Sequence, residues 1–207
     1  MKQSGKTHAQ LFIVESLNFE NEKKKEFEGR ILSEILALSG KRCEYYYIRT
    51  EKELRRILHK FTATRHRYLH ISCHAGDGSV ATTLDNIPMH DFARIVRPHL
   101  KGRRLFLSAC SLANSGLADL LMPASGCFSM LGPARDVYVN DATILWASLY
   151  HLMFAWDSTA MKGPVLRKNA HAVSDMYQVP LNYYGRDRTT QRGYICRRII
   201  PKDPFLA

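Results

Sequence analysis

Two short apolar segments of this chain each end in a loop that carries reactive side chains: residues 68–78 read YLHISCHAGDG and residues 104–111 read RLFLSACS. The apolar part of each segment is short and continuous, which is typical of a strand that is buried on both faces of a parallel sheet. Side chains that follow such strands gather in the crevice at the carboxyl ends of the sheet. If the two strands are neighbours, His74 of the first loop meets Cys110 of the second.

Strand and helix patterns alternate before the first loop. The sequence predicts a strand at 11–14, an amphipathic helix at 21–38, a strand at 43–48, a helix at 51–61 and the strand at 68–72. In the first helix the apolar residues recur at steps of three or four, which predicts that they face the core: Phe27, Ile31, Ile35 and Leu38.

The alternation continues towards the carboxyl terminus. A small hairpin is predicted at 79–84, turning at Asp85-Asn86, and is followed by a helix opened by Pro88, the strand at 104–107, a helix at 115–121 and a strand at 127–131. Asp141 looks like the cap of a helix that reaches about Phe154; Pro164 opens another, and a last strand is predicted at 193–200. This order predicts an α/β fold, with a mostly parallel sheet of about six strands and helices on both faces.

Length and composition favour a single intracellular domain that spans residues 1–207. The chain is 45% hydrophobic, enough for one continuous core, and its N-terminal apolar run is too short for a signal peptide or a membrane span. We therefore expect a cytoplasmic protein. The five cysteines are scattered without a C-x-x-C pair, so we expect no disulfide framework, no metal site and no cofactor. The formal net charge of +11 favours an acidic partner or nucleic acid.

His74 and Cys110 are the residue types that a cysteine hydrolase requires. Such an enzyme needs a thiolate nucleophile, a histidine that accepts and returns a proton, and amide donors for the oxyanion. The small residues after His74 would let a substrate carbonyl approach the backbone N–H groups of Ala75 or Gly76, together with that of Cys110. The sequence does not reveal a third side chain that orients the histidine.

The two loops resemble those of the caspase-like cysteine peptidases, and within them the CHAT domains. The family has a strand that ends in His-Gly-x-x-Gly and, one hairpin and one helix later, a strand that ends in Ser-Ala-Cys. The second motif is complete here at 108–110, whereas the first has Ala75 where the family has glycine. The similarity covers 11–154 and implies a three-layer sandwich in which His74 and Cys110 form the catalytic dyad.

The resemblance also implies what such a domain does. It predicts limited, site-specific cleavage of a protein substrate, in a bacterial defence or regulated cell-death system. No sensor module is evident in the sequence, so regulation would require a separate activator or sensor protein or a self-cleavage step. Relatives that cut after arginine or lysine commonly have an acidic residue two positions before the cysteine. That position is Ser108 here, so we do not expect a strictly basic cleavage site.

Two acidic residues are candidates for binding the substrate. Asp77 and Asp141 are expected near the crevice, where either could bind a basic side chain of the substrate, although Asp77 also fits a turn and Asp141 a helix cap. Cys73 is expected to be a packed core residue, and so are the thiols in predicted strands, Cys43, Cys127 and Cys196.

Two other functional classes stay open. The first is a caspase-like binding module without activity that acts through its basic surface on nucleic acid or an acidic protein. Its candidate surface is an arginine cluster interleaved with Tyr183, Tyr184 and Tyr194, namely Arg186, Arg188, Arg192, Arg197 and Arg198. The second is a nucleotide-binding sheet protein, suggested by the glycines at 76–78, although no helix follows them directly.

Overall fold

The alternation of strands and helices is present in the structure, a computed structural model that describes residues 7–76, 78–156 and 161–203. The strands are β1 (His8–Glu15), β2 (Cys43–Tyr47), β3 (His66–Ser72), β4 (His74–Gly76), β5 (Ser79–Ala81), β6 (Asn86–Pro88), β7 (Arg104–Ser108), β8 (Ser129–Pro133), β9 (Leu181–Arg186) and β10 (Tyr194–Ile199). The α-helices are α1 (Phe19–Lys24), α2 (Glu28–Leu38), α3 (Glu51–Ala63), α4 (Met89–Val96), α5 (Ser115–Ser125), α6 (Val139–Trp156) and α7 (Gly163–Tyr177).

The main sheet has seven strands in the order β10-β9-β8-β7-β3-β1-β2. Five strands pair with one another in parallel, in the order β2, β1, β3, β7 and β8. The strand β9 runs antiparallel to β8, and β10 runs antiparallel to β9. The mostly parallel α/β sheet is therefore confirmed. The strand β9 was not predicted, because Asn182 and Gly185 weaken its strand pattern. It forms between two neighbours that satisfy its backbone on both sides.

Helices cover both faces of this sheet, as a three-layer sandwich requires. Alternate residues of β1 show the division: Phe12 and Val14 pack in the core formed with α3, α4 and α5. Leu11 and Ile13 pack in the core formed with α2, α6 and α7. Among the described residues, no helix combines the length and apolar character that are needed to cross a membrane.

The helix predicted at 21–38 is two helices, and its predicted buried face is wrong. The chain takes a left-handed conformation at Lys25 (φ 59°), which ends α1 and allows α2 to begin in a new orientation. The face that α2 buries consists of Glu28, Gly29, Leu32 and Leu36, whereas Ile31, Ile35 and Leu38 are exposed. Gly29 sets this orientation, because a Cβ there would lie 2.8 Å from Ile13 Cγ2 of β1.

Two local predictions also need revision. The predicted hairpin is part of a small three-stranded antiparallel sheet of β4, β5 and β6, in which β4 contains His74. Asp141 is not the N-cap of its helix, contrary to the prediction. The helix α6 already begins at Val139, and Asp141 lies in its first turn. A carboxylate in the first turn still interacts favourably with the helix dipole.

Glu15 is a fully buried carboxylate at the end of β1. Its Oε1 accepts a hydrogen bond from the Gly29 N–H at 2.8 Å, and its Oε2 accepts one from the Tyr45 hydroxyl at 2.8 Å. Burial raises the pKa of Glu15 from 4.5 to about 7, and the nearby Glu28 adds to the rise.

The substitution Glu15→Gln tests this assignment. Because the folded-state pKa lies above the unfolded value, the folded state binds the proton more tightly, so stability falls as the pH rises from about 4.5 to about 7. As the pH rises between these limits, the free energy of unfolding of the native chain should fall by about 3 kcal/mol, and that of Glu15→Gln should not. Urea unfolding across this range measures the difference, with Glu34→Gln as the exposed control. Parallel profiles for the native chain and Glu15→Gln would contradict the prediction.

Candidate active site

The ends of β3 and β7 bring the two predicted reactive loops together. Ser72 lies opposite Ser108 in the parallel pairing, and the Cys73 N–H donates to the Ser108 carbonyl at 3.1 Å. His74 follows Ser72 by two residues, and Cys110 follows Ser108 by two residues, so both lie just beyond the ends of adjacent strands. Both side chains line one cleft at the carboxyl edge of the sheet.

This cleft lies between the strand ends, the start of α2 and the segment that leads into α6. It encloses about 530 Å³, including the part that opens to solvent. Its walls are formed by Leu17, Glu28, Ser72, Cys73, His74, Ser108, Ala109, Cys110, Pro133, Val137, Val139 and Ala142. Apolar walls with a few polar groups are typical of a binding site.

Cys110 lies in a sharp turn directly after β7. Ser111 has a left-handed backbone (φ 50°), and the Leu112 N–H donates back to the Ala109 carbonyl. The half-buried thiol lies near the backbone of Val137 and the carboxylate of Asp136. Burial and the charge of Asp136 raise the pKa of Cys110, whereas the Val137 amide lowers it.

His74 is oriented by a side chain that the sequence did not reveal. Its Nε2 lies 2.8 Å from Asn21 Oδ1 of α1. Since the Asn21 amide group donates to Glu26, its carbonyl oxygen is the acceptor of the ring N–H. A neutral His74 ring held by this contact has its N–H on Nε2, so Nδ1 is the ring nitrogen that can accept a proton. Asn21 lies 53 residues away from His74 in the chain, so no local motif could associate the two.

Glu28 ties α2 to both strand ends beneath the cleft. Its Oε2 accepts hydrogen bonds from the hydroxyls of Ser72 at 3.1 Å and Ser108 at 2.8 Å. Its Oε1 lies 3.2 Å from His70 Nε2, and His70 Nδ1 lies 2.8 Å from the Tyr150 hydroxyl. Glu28 is buried, although the apolar pattern of the sequence predicted a different buried face for this helix.

The predicted oxyanion residues lie in the small sheet beside the cleft. Ala75 pairs with Val80 and Gly76 pairs with Ser79, directly after His74. Neither Ala75 nor Gly76 has a positive φ. The backbone therefore does not need the glycine that the family has at this position, and an alanine fits the extended conformation. The use of these amides as oxyanion donors stays a prediction.

Of the two predicted substrate-binding acids, Asp141 lies among the described residues. Asp77 lies outside the described residues. Asp141 lies in the first turn of α6, where it accepts a hydrogen bond from Asn140, and the next residue, Ala142, lines the cleft. Its binding role stays a prediction. The charge of Asp136, a residue that was not among the predicted site residues, raises the pKa of Cys110.

The remaining cysteines are not all packed core residues. Cys73 lines the cleft beside Cys110 as well as packing against the core, and burial raises its pKa to about 12. Cys196 is exposed on β10, so the prediction of a packed thiol is wrong there. The reason is that β10 is the edge strand, and alternate residues of an edge strand can point to solvent. Cys127 is buried, as predicted, and Cys43 is partly buried.

The arginine cluster lies far from this cleft. Its five arginines are exposed on β9, β10 and their connection, and three strands separate β10 from β3. The interleaved Tyr183, Tyr184 and Tyr194 are each less than 5% exposed, so they are not available to stack on bases. The cluster is therefore a basic surface without the aromatic component of a single-strand binding groove.

The substitution Glu28→Ala tests the importance of the buried carboxylate. It removes the acceptor for the Ser72 and Ser108 hydroxyls and should lower the free energy of unfolding by about 3 kcal/mol. Urea denaturation measures this loss. Glu34→Ala, on the exposed face of the same helix, removes only the surface pair with Arg30 and should cost less than about 1 kcal/mol. Equal losses in the two variants would rule out a central role for Glu28.

Solved structures resemble this arrangement, although no protein-family model and no curated protein matches the sequence. A secreted C11 cysteine protease from Bacteroides thetaiotaomicron matches with a TM-score of 0.56 at 8% identity, over 86% of this chain and 66% of that protein. Separase from Saccharomyces cerevisiae, in complex with securin, matches with a TM-score of 0.52 at 15% identity, over 89% of this chain and 12% of that one.

Gingipain R, an Arg-specific cysteine proteinase, matches with a TM-score of 0.52 at 12% identity, over 83% of this chain and 43% of that protein. The chain thus spans less than two thirds of the length of these three proteins. All three are caspase-like peptidases, and all share the sheet and helix layers described above. This chain has the fold of the caspase-like cysteine peptidases.

Proposed function

We propose that this protein is a cysteine endopeptidase in which Cys110 is the nucleophile and His74 the acid and base. The observation that carries the proposal is that both side chains line one cleft, at the ends of adjacent strands. The Asn21 contact supports it, because that contact leaves His74 Nδ1 as the proton acceptor. Solved structures with the same fold are described as cysteine proteases.

Catalysis begins when His74 takes the proton of the Cys110 thiol. The thiolate attacks the peptide carbonyl, and the negative charge that forms on the carbonyl oxygen is bound by backbone amides. The candidate donors are the N–H groups of Ala75, Gly76 and Cys110. His74 then protonates the leaving amine, and the acyl-enzyme that remains is hydrolysed by a water molecule that His74 deprotonates. Cys110 is released as the free thiol.

The substrate is proposed to be a protein that is cut at one or a few sites. This part of the proposal rests on the resemblance to caspase-like and CHAT domains, as does a place in bacterial defence or regulated cell death. The raised pKa of the Cys110 thiol, caused by its burial, is compatible with an enzyme that requires a separate activator or sensor protein. No cofactor takes part in the proposed chemistry.

A binding module without activity is the second candidate. The observation that favours it is the exposed arginine cluster on β9 and β10 of a chain with a formal charge of +11. This surface fits an acidic protein better than nucleic acid, since the neighbouring tyrosines are buried. Such a module would not need Cys110, which separates the two candidates in a single experiment.

Cleavage of a proteome-derived peptide library, measured by mass spectrometry, tests the peptidase. Cys110→Ala should abolish cleavage, and His74→Ala should slow it by about a hundredfold or more. A peptidyl thiol-directed inhibitor should label Cys110 in preference to Cys196, although Cys196 is the more exposed thiol. Cys196→Ala is the matched control and should retain full activity. A native chain that cuts nothing would favour the binding module, whereas cleavage that survives in Cys110→Ala would rule out Cys110 as the nucleophile.

Asn21 should act as a positioning residue for His74. Asn21→Ala removes the acceptor of the Nε2–H and lets the ring adopt the wrong tautomer, so kcat should fall by about tenfold to a hundredfold while KM changes little. Asn140→Ala, an exposed asparagine at the start of α6, serves as the control. Steady-state kinetics on one peptide separate the two constants. A rise in KM at constant kcat would instead indicate a role in substrate binding.

A further inference from the structure

Arg104 is a buried arginine at the start of β7, at the end of the sheet opposite the cleft. Only 8% of the residue is exposed. Its Nη1 donates to the hydroxyl of Ser129, its neighbour on β8, at 2.7 Å. The Nε has no hydrogen-bond partner, and Ser129 is the only acceptor of this guanidinium among the described residues. Most of the N–H donors of Arg104 are therefore unused.

No carboxylate neutralises the charge of Arg104 within the described ranges, since every salt bridge there involves another basic residue. A buried cation without an anionic partner is costly, whereas the same cation hydrogen-bonded to an anion is stable. Contact with an aromatic ring offsets only part of this cost. The guanidinium of Arg104 is therefore a group to which an anion would bind favourably.

A second arginine converges on the same place. The Cζ of Arg104 lies 5.6 Å from the centroid of the Phe128 ring, and the Cζ of Arg186 lies 4.8 Å from it. The exposed Arg186 donates to the Gly126 carbonyl at 3.2 Å. Burial raises the pKa of the neighbouring Cys127 thiol to about 11, and the charges of both arginines oppose that rise. Two guanidinium groups thus concentrate positive charge around Phe128.

The charged residues next to this pair in the chain are already engaged. Arg103, directly before Arg104, donates to backbone carbonyls. The carboxylate of Asp187, directly after Arg186, accepts hydrogen bonds from the N–H and the hydroxyl of Thr189. Asp187 is thus held within its own loop, and its interactions do not include Arg104.

We propose that Arg104 and Arg186 form a binding site for a phosphoryl group, either inorganic phosphate or the phosphate monoester of a small molecule. The oxygens of a phosphoryl group are arranged tetrahedrally, so it can accept hydrogen bonds from two guanidinium groups at once, whereas one guanidinium already satisfies a planar carboxylate. Ser129 holds Nη1 of Arg104 and leaves its Nη2 for the ligand. The site lies at the other end of β7 from Cys110 and does not depend on the proposed peptidase.

The first arm of the experiment is isothermal titration calorimetry of the full chain with inorganic phosphate, at an ionic strength held constant with sodium chloride. The native chain should show saturable binding of one phosphate, and acetate should not compete with it. Arg186→Gln, at an exposed position, should raise the Kd by about tenfold or more. Arg188→Gln removes another exposed arginine of the same region and is the matched control. The absence of saturable binding, or equal Kd values in the two variants, would overturn the proposal.

The second arm is urea unfolding of Arg104→Met, which keeps a long apolar side chain and removes the charge. In chloride this variant should be at least as stable as the native chain, because an unpaired buried charge is gone. Saturating phosphate should stabilise the native chain and not the variant. Equal stabilisation of the two proteins by phosphate would contradict the site. A variant less stable than the native chain in chloride would show that Arg104 is compensated within the fold, and would also contradict it.

The third arm identifies the source of the phosphoryl group. Glycerol 3-phosphate and AMP, two phosphate monoesters, are titrated in place of inorganic phosphate. Tighter binding of either one indicates a small-molecule ester, and weaker binding of both indicates free phosphate. Both results support the site if the Kd again rises in Arg186→Gln. Cys110→Ala should bind phosphate as the native chain does, so the fate of this proposal is separate from that of the peptidase.

Discussion

The carboxylate of Glu28 is the constraint on which the site depends. It joins the first residue of α2 to the last residues of β3 and β7 through the hydroxyls of Ser72 and Ser108. Those two strands carry His74 and Cys110 two residues further on. A buried carboxylate is costly unless hydrogen bonds satisfy it, so the strand ends and the helix are held in one arrangement. The relative position of the two reactive side chains follows from this arrangement.

Glu28 also explains a departure from the caspase-like motif. Relatives that cut after basic residues commonly have an acid two positions before the cysteine, where this chain has Ser108. The serine hydroxyl donates to Glu28, so a carboxylate still lies one hydrogen bond away from that position. Glu28 lines the cleft, whereas the exposed arginines lie on β9, β10 and their connection. Opposite charges are thus separated across the sheet, so the net charge of the chain says little about its cleft.

The resting state of the thiol fits a peptidase that is controlled. Burial and the charge of Asp136 raise the pKa of Cys110, whereas the nearby Val137 amide lowers it. A charge or an activator that binds beside the thiol would shift this balance. A cleft of this kind would limit the damage that a cysteine peptidase could do before its substrate arrives.

The sequence alone predicts most of the strands and helices, the parallel sheet, and the two loops whose His74 and Cys110 line one cleft. These features depend on local apolar patterns and on the rule that parallel strands present their loops at one edge. Only tertiary contacts show which face α2 buries, that β9 joins the sheet, that Asn21 contacts His74 and that Glu28 binds both strand ends. Each of these depends on contacts between residues far apart in the chain. Local patterns cannot encode them, because a left-handed residue at Lys25 or a close approach at Gly29 reorients a whole helix.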